Sequence, residues 1–266
     1  VSGTAEEHTT QLDGQPVFWR RVPEADGGPP ILYVHGVPTN ADLWAPFLAR
    51  TGGMAVDLPG FGRSGKRGDL DYSVPGYARF LERFLELVEV DGPVRLVGED
   101  WGAAAALGWA QAQPDRVARL VLIDAVPLLS GYAWHRLARV WRTRWLGEIA
   151  MGLTIRPVLR RVLPAELVDL AASRLDQGTQ RAILDLYRWA DPARLAAAGR
   201  DLGAVTAPAL VVWGERDPYV PVSFASAYAA ALGGAVDVDV RPGVGHWPWL
   251  EDPAVVEHVV EFVAGR

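Results

Sequence analysis

Gly98-Glu99-Asp100-Trp101-Gly102 stands between the apolar run Val94-Arg95-Leu96-Val97 and an alanine-rich stretch that opens at Ala103. A strand that passes sharply into a helix through such a pentapeptide has the form of a nucleophile elbow. Small flanking residues let the backbone close up, and the middle side chain is presented outward. The helix that follows aims its N-terminus at that side chain, which favours a carboxylate there. Asp100 is therefore the candidate nucleophile. The pentapeptide alone also suits an ordinary turn; its place between strand and helix gives it weight.

Working outward, Ile31–Val34, Met54–Val56, Leu120–Ile123 and Leu210–Trp213 repeat the pattern of Val94–Val97: short apolar runs ending near Gly, Asp or His. Such runs read as buried parallel strands. Stretches of helical length lie between them, at about 75–90, with Tyr77, Phe80, Leu81, Phe84, Leu85 and Val88 at helical spacing, and at about 101–113. Alternation of strand and helix predicts an α/β fold with a mostly parallel twisted sheet flanked by helices. Thr9–Leu12 and Val17–Arg21 around Asp13-Gly14 predict an entering hairpin. From about Val126 to Gly199 no strand is convincing. Helical patterns take over, one of which puts Trp134, Leu137, Ala138, Trp141 and Trp145 on a single face, with the arginines of this region mostly on the opposite, solvated side. Strand and helix then resume through Pro221–Leu232, Val236–Val240 and Pro253–Ala264. The expected division is a core of residues 1–125 and 200–266 with a helical cap inserted at 126–199.

Composition sets bounds on function. Half of the 266 residues are hydrophobic, enough for a large core, and a net charge of −6 argues against a nucleic-acid partner. There is no cysteine, so disulfides and thiolate metal sites are excluded. Five histidines form no His-x-x-x-His pair, and neither a metal nor another cofactor is expected. No leader pattern opens the chain and no run of about 18 apolar residues follows, so a cytoplasmic protein with no membrane contact is expected. The oligomeric state is not legible.

Two further signals follow Asp100 in the order acid, then histidine. Asp217 lies in Gly214-Glu215-Arg216-Asp217-Pro218 after the strand Leu210–Trp213, at a carboxyl edge where catalytic groups gather in open α/β sheets. His246 lies between Gly245 and Trp247 after the last strand, a setting that His8, His35, His135 and His258 lack. A turn-capping role for Asp217 stays open, and Asp124, after Leu120–Ile123, is an alternative acid. His35-Gly36-Val37-Pro38 predicts a tight turn that directs the Val37 N–H towards the elbow, where the Trp101 N–H would complete an oxyanion hole.

Together His-Gly-x-Pro, Asp57-Leu58-Pro59-Gly60-Phe61-Gly62-x-Ser64, Gly-x-Asp-Trp-Gly, Gly-x-x-Asp and Gly-His-Trp resemble the epoxide hydrolase and haloalkane dehalogenase branch of the α/β-hydrolases. The resemblance covers the core on both sides of the cap and is weak within the cap. It implies the α/β-hydrolase fold and two cap tyrosines that protonate an epoxide oxygen. Tyr187, in Leu186-Tyr187-Arg188, is similar to the second of these; Tyr132 is the candidate for the first. Glu99 departs from the pattern, since epoxide hydrolases commonly carry histidine there. Val37 departs from the halide-binding asparagine of many dehalogenases.

An aspartate in place of serine has a chemical meaning. A carboxylate is ionised at neutral pH without help from histidine. Its attack on an ester would give a reactive anhydride, whereas attack on saturated carbon gives a stable alkyl ester. The histidine is then left the second step, activating water against that ester. The sequence thus predicts an epoxide hydrolase using Asp100, His246, Asp217, Tyr187 and Tyr132, with Val37 and Trp101 as the oxyanion hole and water with a small apolar epoxide as substrates. The alternatives are a haloalkane dehalogenase with the same nucleophile, or a binding protein that keeps the fold without turnover.

Overall fold

A computed structural model describes residues 5–266. The strands are β1 (Glu6–Leu12), β2 (Gln15–Val22), β3 (Ile31–Val34), β4 (Gly53–Val56), β5 (Val94–Glu99), β6 (Val117–Ile123), β7 (Ala209–Gly214) and β8 (Val236–Arg241). They form one sheet in the order β1-β2-β4-β3-β5-β6-β7-β8, antiparallel over β1, β2 and β4 and parallel from β4 onward. The hairpin between β1 and β2 turns at Asp13 and Gly14, both at positive φ (51° and 73°). That pairing matches the right-handed strand twist and suits the Asp-Gly sequence.

Strands β3, β4, β5 and β7 are buried throughout, and β6 from Leu120 onward, which is why they read as mostly continuous apolar runs. Helices α1 (Ala45–Thr51), α2 (Val74–Leu87) and α3 (Trp101–Ala112) cover the first half of the sheet. In α2 Tyr77, Leu81, Phe84 and Leu85 of the positions predicted from spacing form the buried stripe with Val74, while Phe80 and, at the C-cap, Val88 are only half-buried, and Ser73 caps the N-terminus by accepting the Gly76 N–H. α3 is buried almost all round, and its alanines let it lie close to the strands.

Six helices intervene between β6 and β7: α4 (Arg136–Arg142), α5 (Leu146–Gly152), α6 (Arg156–Val162), α7 (Ala165–Ala172), α8 (Gln177–Trp189) and α9 (Pro192–Ala198). The single tryptophan face expected at 134–145 is not what forms. Helix α4 stops at Thr143, whose backbone is extended, and Trp145 takes a positive φ of 67° before α5 begins. That break rotates Trp145 off the buried side; Trp134 is buried and Trp145 is 81% exposed. Arg142, expected on a solvated face, is half-buried and donates to the carbonyls of Tyr187 and Ala190, tying α4 to the end of α8. The chain closes with α10 (Ser223–Ala231), α11 (Pro248–Glu251) and α12 (Ala254–Val263) around β7 and β8. No helix among the described residues is long and apolar enough to cross a membrane.

Candidate active site

Parallel register brings the carboxyl ends of the central strands together. Val34 pairs with Gly98, Glu99 with Ile123 and Ile123 with Val212, so the segments after β3, β5, β6 and β7 emerge side by side. Asp100 sits at φ 50° and ψ −118°, a conformation that costs a non-glycine residue roughly 1–3 kcal/mol. The neighbouring glycines have no room for a side chain. A Cβ on Gly102 would lie 2.0 Å from the Val34 carbonyl oxygen, one on Gly98 2.6 Å from Ala103 Cα, and one on Gly36 2.5 Å from Asp100 Cβ.

The Val37 N–H donates to Asp100 Oδ2 at 2.9 Å, and the Trp101 N–H also supports this carboxylate. Asp100 Oδ1 lies 3.8 Å from His246 Nε2. Burial raises the Asp100 pKa, and the charge of His246 with the two N–H groups recovers only part of that rise.

The loops after β7 and β8 are pinned to one another. Arg216 N–H donates to the Val244 carbonyl at 2.8 Å and Gly243 N–H to Glu215 Oε2 at 2.8 Å. This sets His246 Nδ1 2.7 Å from Asp217 Oδ2. Asp217 Oδ1 accepts the N–H groups of Tyr219 (2.7 Å) and Val220 (3.0 Å), so one oxygen caps a turn while the other holds the imidazole. The two readings that the sequence left open for Asp217 coexist. Burial opposes the Asp217 carboxylate, but the His246 charge and these hydrogen bonds outweigh it and lower its pKa.

Asp124 stands behind this pair rather than on the histidine. Its Oδ1 accepts the Gly214 N–H at 3.0 Å, while Oδ2 is buried without a partner meeting hydrogen-bonding geometry. Burial holds the Asp124 carboxyl well above the usual carboxylate range, and the neighbouring Asp217 charge adds to this. Of the two, Asp124 holds its proton more readily and Asp217 its charge.

The residue that sequence reasoning undervalued is Glu99. It is fully buried, its Oε2 accepts the Gly36 N–H at 3.0 Å, and its Oε1 has no hydrogen-bond partner. That oxygen is 3.5 Å from His246 Nε2, nearer than Asp100 Oδ1. Burial and the Asp100 charge push its pKa far up, so Glu99 takes a proton more readily than an ordinary glutamate. For His246, burial lowers the pKa, while Asp217, Asp100 and Glu99 together raise it to about 10. The sets Glu99, Asp100, His246 and Asp124, Asp217, His246 each bring three potential metal donors within 4.8 Å. They share His246 through opposite ring nitrogens, and its hydrogen bond to Asp217 with the carboxylate contacts largely accounts for the clustering.

Above Asp100 lies a cavity of about 110 Å³, lined mainly by apolar side chains, among them Leu137, Trp141, Met151, Leu159, Ile183 and Val220, and by His246 at its floor. Tyr187 and Tyr132 both line it. Burial and the Asp100 charge raise the Tyr187 pKa, so its phenol stays protonated, and the Trp101 side chain is near enough to hydrogen-bond it weakly. The Trp101 indole N–H has no acceptor at full hydrogen-bonding geometry; neither has that of Trp141. Tyr132 donates a long hydrogen bond of 3.3 Å to the Tyr219 carbonyl and packs edge-on against Trp134 and Phe224. Two lining residues escaped the sequence reading. Tyr219 meets the His246 ring edge-on at 5.0 Å, and only its spacing from Asp217 signals it. His135 caps α4 through Nδ1, and burial lowers its pKa to about 4.

Residues 29–150 match the family model described as alpha/beta hydrolase fold, and residues 187–265 match one described as TAP-like protein. A haloalkane dehalogenase of Mycolicibacterium paratuberculosis (strain ATCC BAA-968 / K-10) is 33% identical over 208 residues, covering 72% of this chain and 68% of that protein. A haloalkane dehalogenase of Bradyrhizobium diazoefficiens is 28% identical over 278 residues, covering 91% and 89%. The crystal structure of DBJA superposes with a TM-score of 0.82 at 26% identity, over 98% of this chain and 97% of that one. Sheet order, elbow and relatives agree: the chain belongs to the α/β-hydrolase superfamily, on its haloalkane dehalogenase branch.

Proposed function

We propose that this hydrolase cleaves small apolar substrates at saturated carbon through an alkyl ester on Asp100, with halide as the leaving group. The observation that carries this reading is the division of labour on the Asp100 carboxylate. Oδ2 accepts the Val37 N–H, with the Trp101 N–H also supporting the carboxylate, and Oδ1 is left towards His246 in the wall of the cavity. Oδ1 attacks carbon and the carbon–halogen bond breaks, its electron pair leaving with halide. Oδ2 is then the ester carbonyl oxygen and already sits where the oxyanion must be stabilised. His246 Nε2 takes a proton from water as that water attacks Asp100 Cγ. Collapse of the tetrahedral intermediate expels the alkoxide, which takes the proton from His246 and leaves as the alcohol, and the Asp100 carboxyl then loses its remaining proton through His246 to solvent and is a carboxylate again.

Esterification itself prepares the base. It removes the Asp100 charge, one of the contributions that hold the His246 pKa near 10, so the imidazole becomes easier to deprotonate when a base is first needed. Glu99 enters here. Without the Asp100 charge beside it, Glu99 ionises more readily and raises His246 again. Glu99→Gln is therefore expected to move the acid limb of ester hydrolysis to lower pH, read from single-turnover alcohol release across a pH series. An unmoved limb would leave Glu99 a packing role.

Halide is favoured by the unpaired indole N–H of Trp101 beside the nucleophile, by that of Trp141 on the cavity wall, and by the dehalogenase relatives. The cavity is smaller than the ~150 Å³ that admits benzene, which suits short haloalkanes. A specific observation supports epoxide as the second reading: the Tyr187 phenol is on the cavity wall, protonated, and near the Asp100 charge. A parallel assay of halide release from short bromoalkanes and diol formation from small epoxides decides between them. Halide release is expected; diol without halide would reverse the order. Turnover of neither, with no ester formed, would return the protein to the binding class. Tyr187→Phe is expected to spare halide release and to depress any epoxide opening by about 10²-fold or more. Equal losses would assign Tyr187 to packing.

A further inference from the structure

The outer surface of α5 and α6 carries an arrangement that the reaction does not use. Trp145, Leu146, Ile149, Leu153 and Ile155 are all exposed, with Trp145 at 81%, Leu153 at 65% and Ile149 at 61%. Trp145 immediately precedes α5, Leu146 and Ile149 lie in it, and Leu153 and Ile155 lie in the turn that leads into α6. Scattered exposed leucines need no explanation, but a run of this size on one face marks a surface that meets something apolar.

The charge around it is equally one-sided. Between Val126 and Val162 the sequence holds seven arginines and one acidic residue, Glu148, in a chain whose net charge is −6. Arg142 is spent on carbonyls of α8, Glu148 is paired with Arg188, and Arg156 with Asp169. Among the described residues, Arg136, Arg139, Arg144, Arg160 and Arg161 are exposed and form no ion pair. Tryptophan and aliphatic side chains ringed by arginines are what an anionic bilayer surface accepts. The apolar groups enter the acyl boundary and the guanidinium groups meet the phosphates.

The patch is also continuous with the cavity. The inner sides of the same helices, through Met151, Thr154, Val158 and Leu159, form the cavity wall, and Val162 belongs to both surfaces, being 39% exposed. We infer that the α5–α6 face docks on anionic lipid bilayers, setting the cavity wall against the phase in which small apolar substrates concentrate. The occupant follows from charge complementarity: in a symmetric pair of copies the apolar side chains would match but the unpaired arginines would face arginines, whereas an anionic bilayer supplies both an apolar layer and negative charge.

The test is sedimentation of the full chain with vesicles of phosphatidylcholine alone and of phosphatidylcholine mixed with phosphatidylglycerol. Binding is expected only to the anionic vesicles and is expected to weaken as salt rises from 50 to 500 mM. Trp145→Glu and the double variant Arg160→Glu, Arg161→Glu should each reduce partitioning at least tenfold while halide release from a water-soluble bromoalkane stays at the parent level. Circular dichroism verifies that each variant is folded, and the salt series on the parent tests the inference without any variant. No binding at low salt, or equal binding to neutral vesicles, overturns it. A concentration-dependent dimer lost in the same variants, with no vesicle binding, would assign the face to self-association instead. The vesicle-binding readouts do not depend on which leaving group the site takes; only the activity control rests on the proposed halide release.

Discussion

Replacing His246 with glutamine is expected to stop the cycle halfway and leave the alkyl group on the protein. The first step needs only the Asp100 carboxylate, whose oxygens keep their Val37 and Trp101 N–H contacts in this variant. One equivalent of halide should therefore appear in a burst. The second step needs a base at the position of Nε2, and glutamine offers none. A positioned general base is worth about 10²–10⁴-fold, so steady-state turnover should fall by about 10³-fold. Intact-mass measurement after the burst should show the protein heavier by one alkyl group, with the peptide containing Asp100 carrying it. Full turnover would remove the histidine from the second step, and loss of the burst would show that the first step needs it too.

The second large effect is expected from Asp100→Asn. An amide keeps the size and one acceptor oxygen but does not displace halide, so turnover should fall by about 10⁴-fold or more. Stability should move the other way. In the folded chain burial lifts the Asp100 pKa above its ordinary 3.8. A carboxyl raised in the folded state is stabilising below its unfolded pKa and progressively destabilising as pH rises through the folded one. At neutral pH the parent thus bears a penalty that the amide lacks, and Asp100→Asn should melt higher at pH 7 than the parent. The difference should close as the pH falls below 3.8. A lower melting temperature at pH 7 would mean that the carboxylate is a net structural support. The ester route has its own isotopic test in the parent: single turnover in ¹⁸O-water should give unlabelled alcohol, since the product oxygen comes from Asp100.

The core was legible in the sequence because strands buried on both faces leave continuous apolar runs, and their ends are marked by the glycines and acids that make the site. Val94–Val97 was predicted and β5 runs two residues further, to Glu99. Asp100, Asp217 and His246 converge because each directly follows or closely trails a strand whose register is set by the sheet. The cap was less legible. Its helices are mostly seven or eight residues long, too short for periodicity to fix which side faces inward, and a three-residue break, Thr143 to Trp145, suffices to turn Trp145 out to solvent. Tyr132 was recognised as a tyrosine near the cap entrance, but no local pattern reveals that its hydroxyl turns to the Tyr219 carbonyl. Glu99 was visible only as a departure from a pattern. That its Oε1 approaches His246 depends on a contact across 147 positions of sequence, from Glu99 to His246, which local patterning does not reach.

The glycines packed against Asp100 divide the molecule by how much change it tolerates. One methyl group at position 36, 98 or 102 would overlap backbone or the nucleophile itself, so this part of the chain admits almost no variation. The cavity wall facing it is made of Leu137, Met151, Val158, Leu159 and Ile183, where exchanges that conserve volume typically cost less than about 1.5 kcal/mol. Mutation can therefore reshape what enters the cavity without disturbing the group that attacks it. Selection for a new substrate in this protein would be expected to collect its substitutions on the cap and leave the elbow untouched.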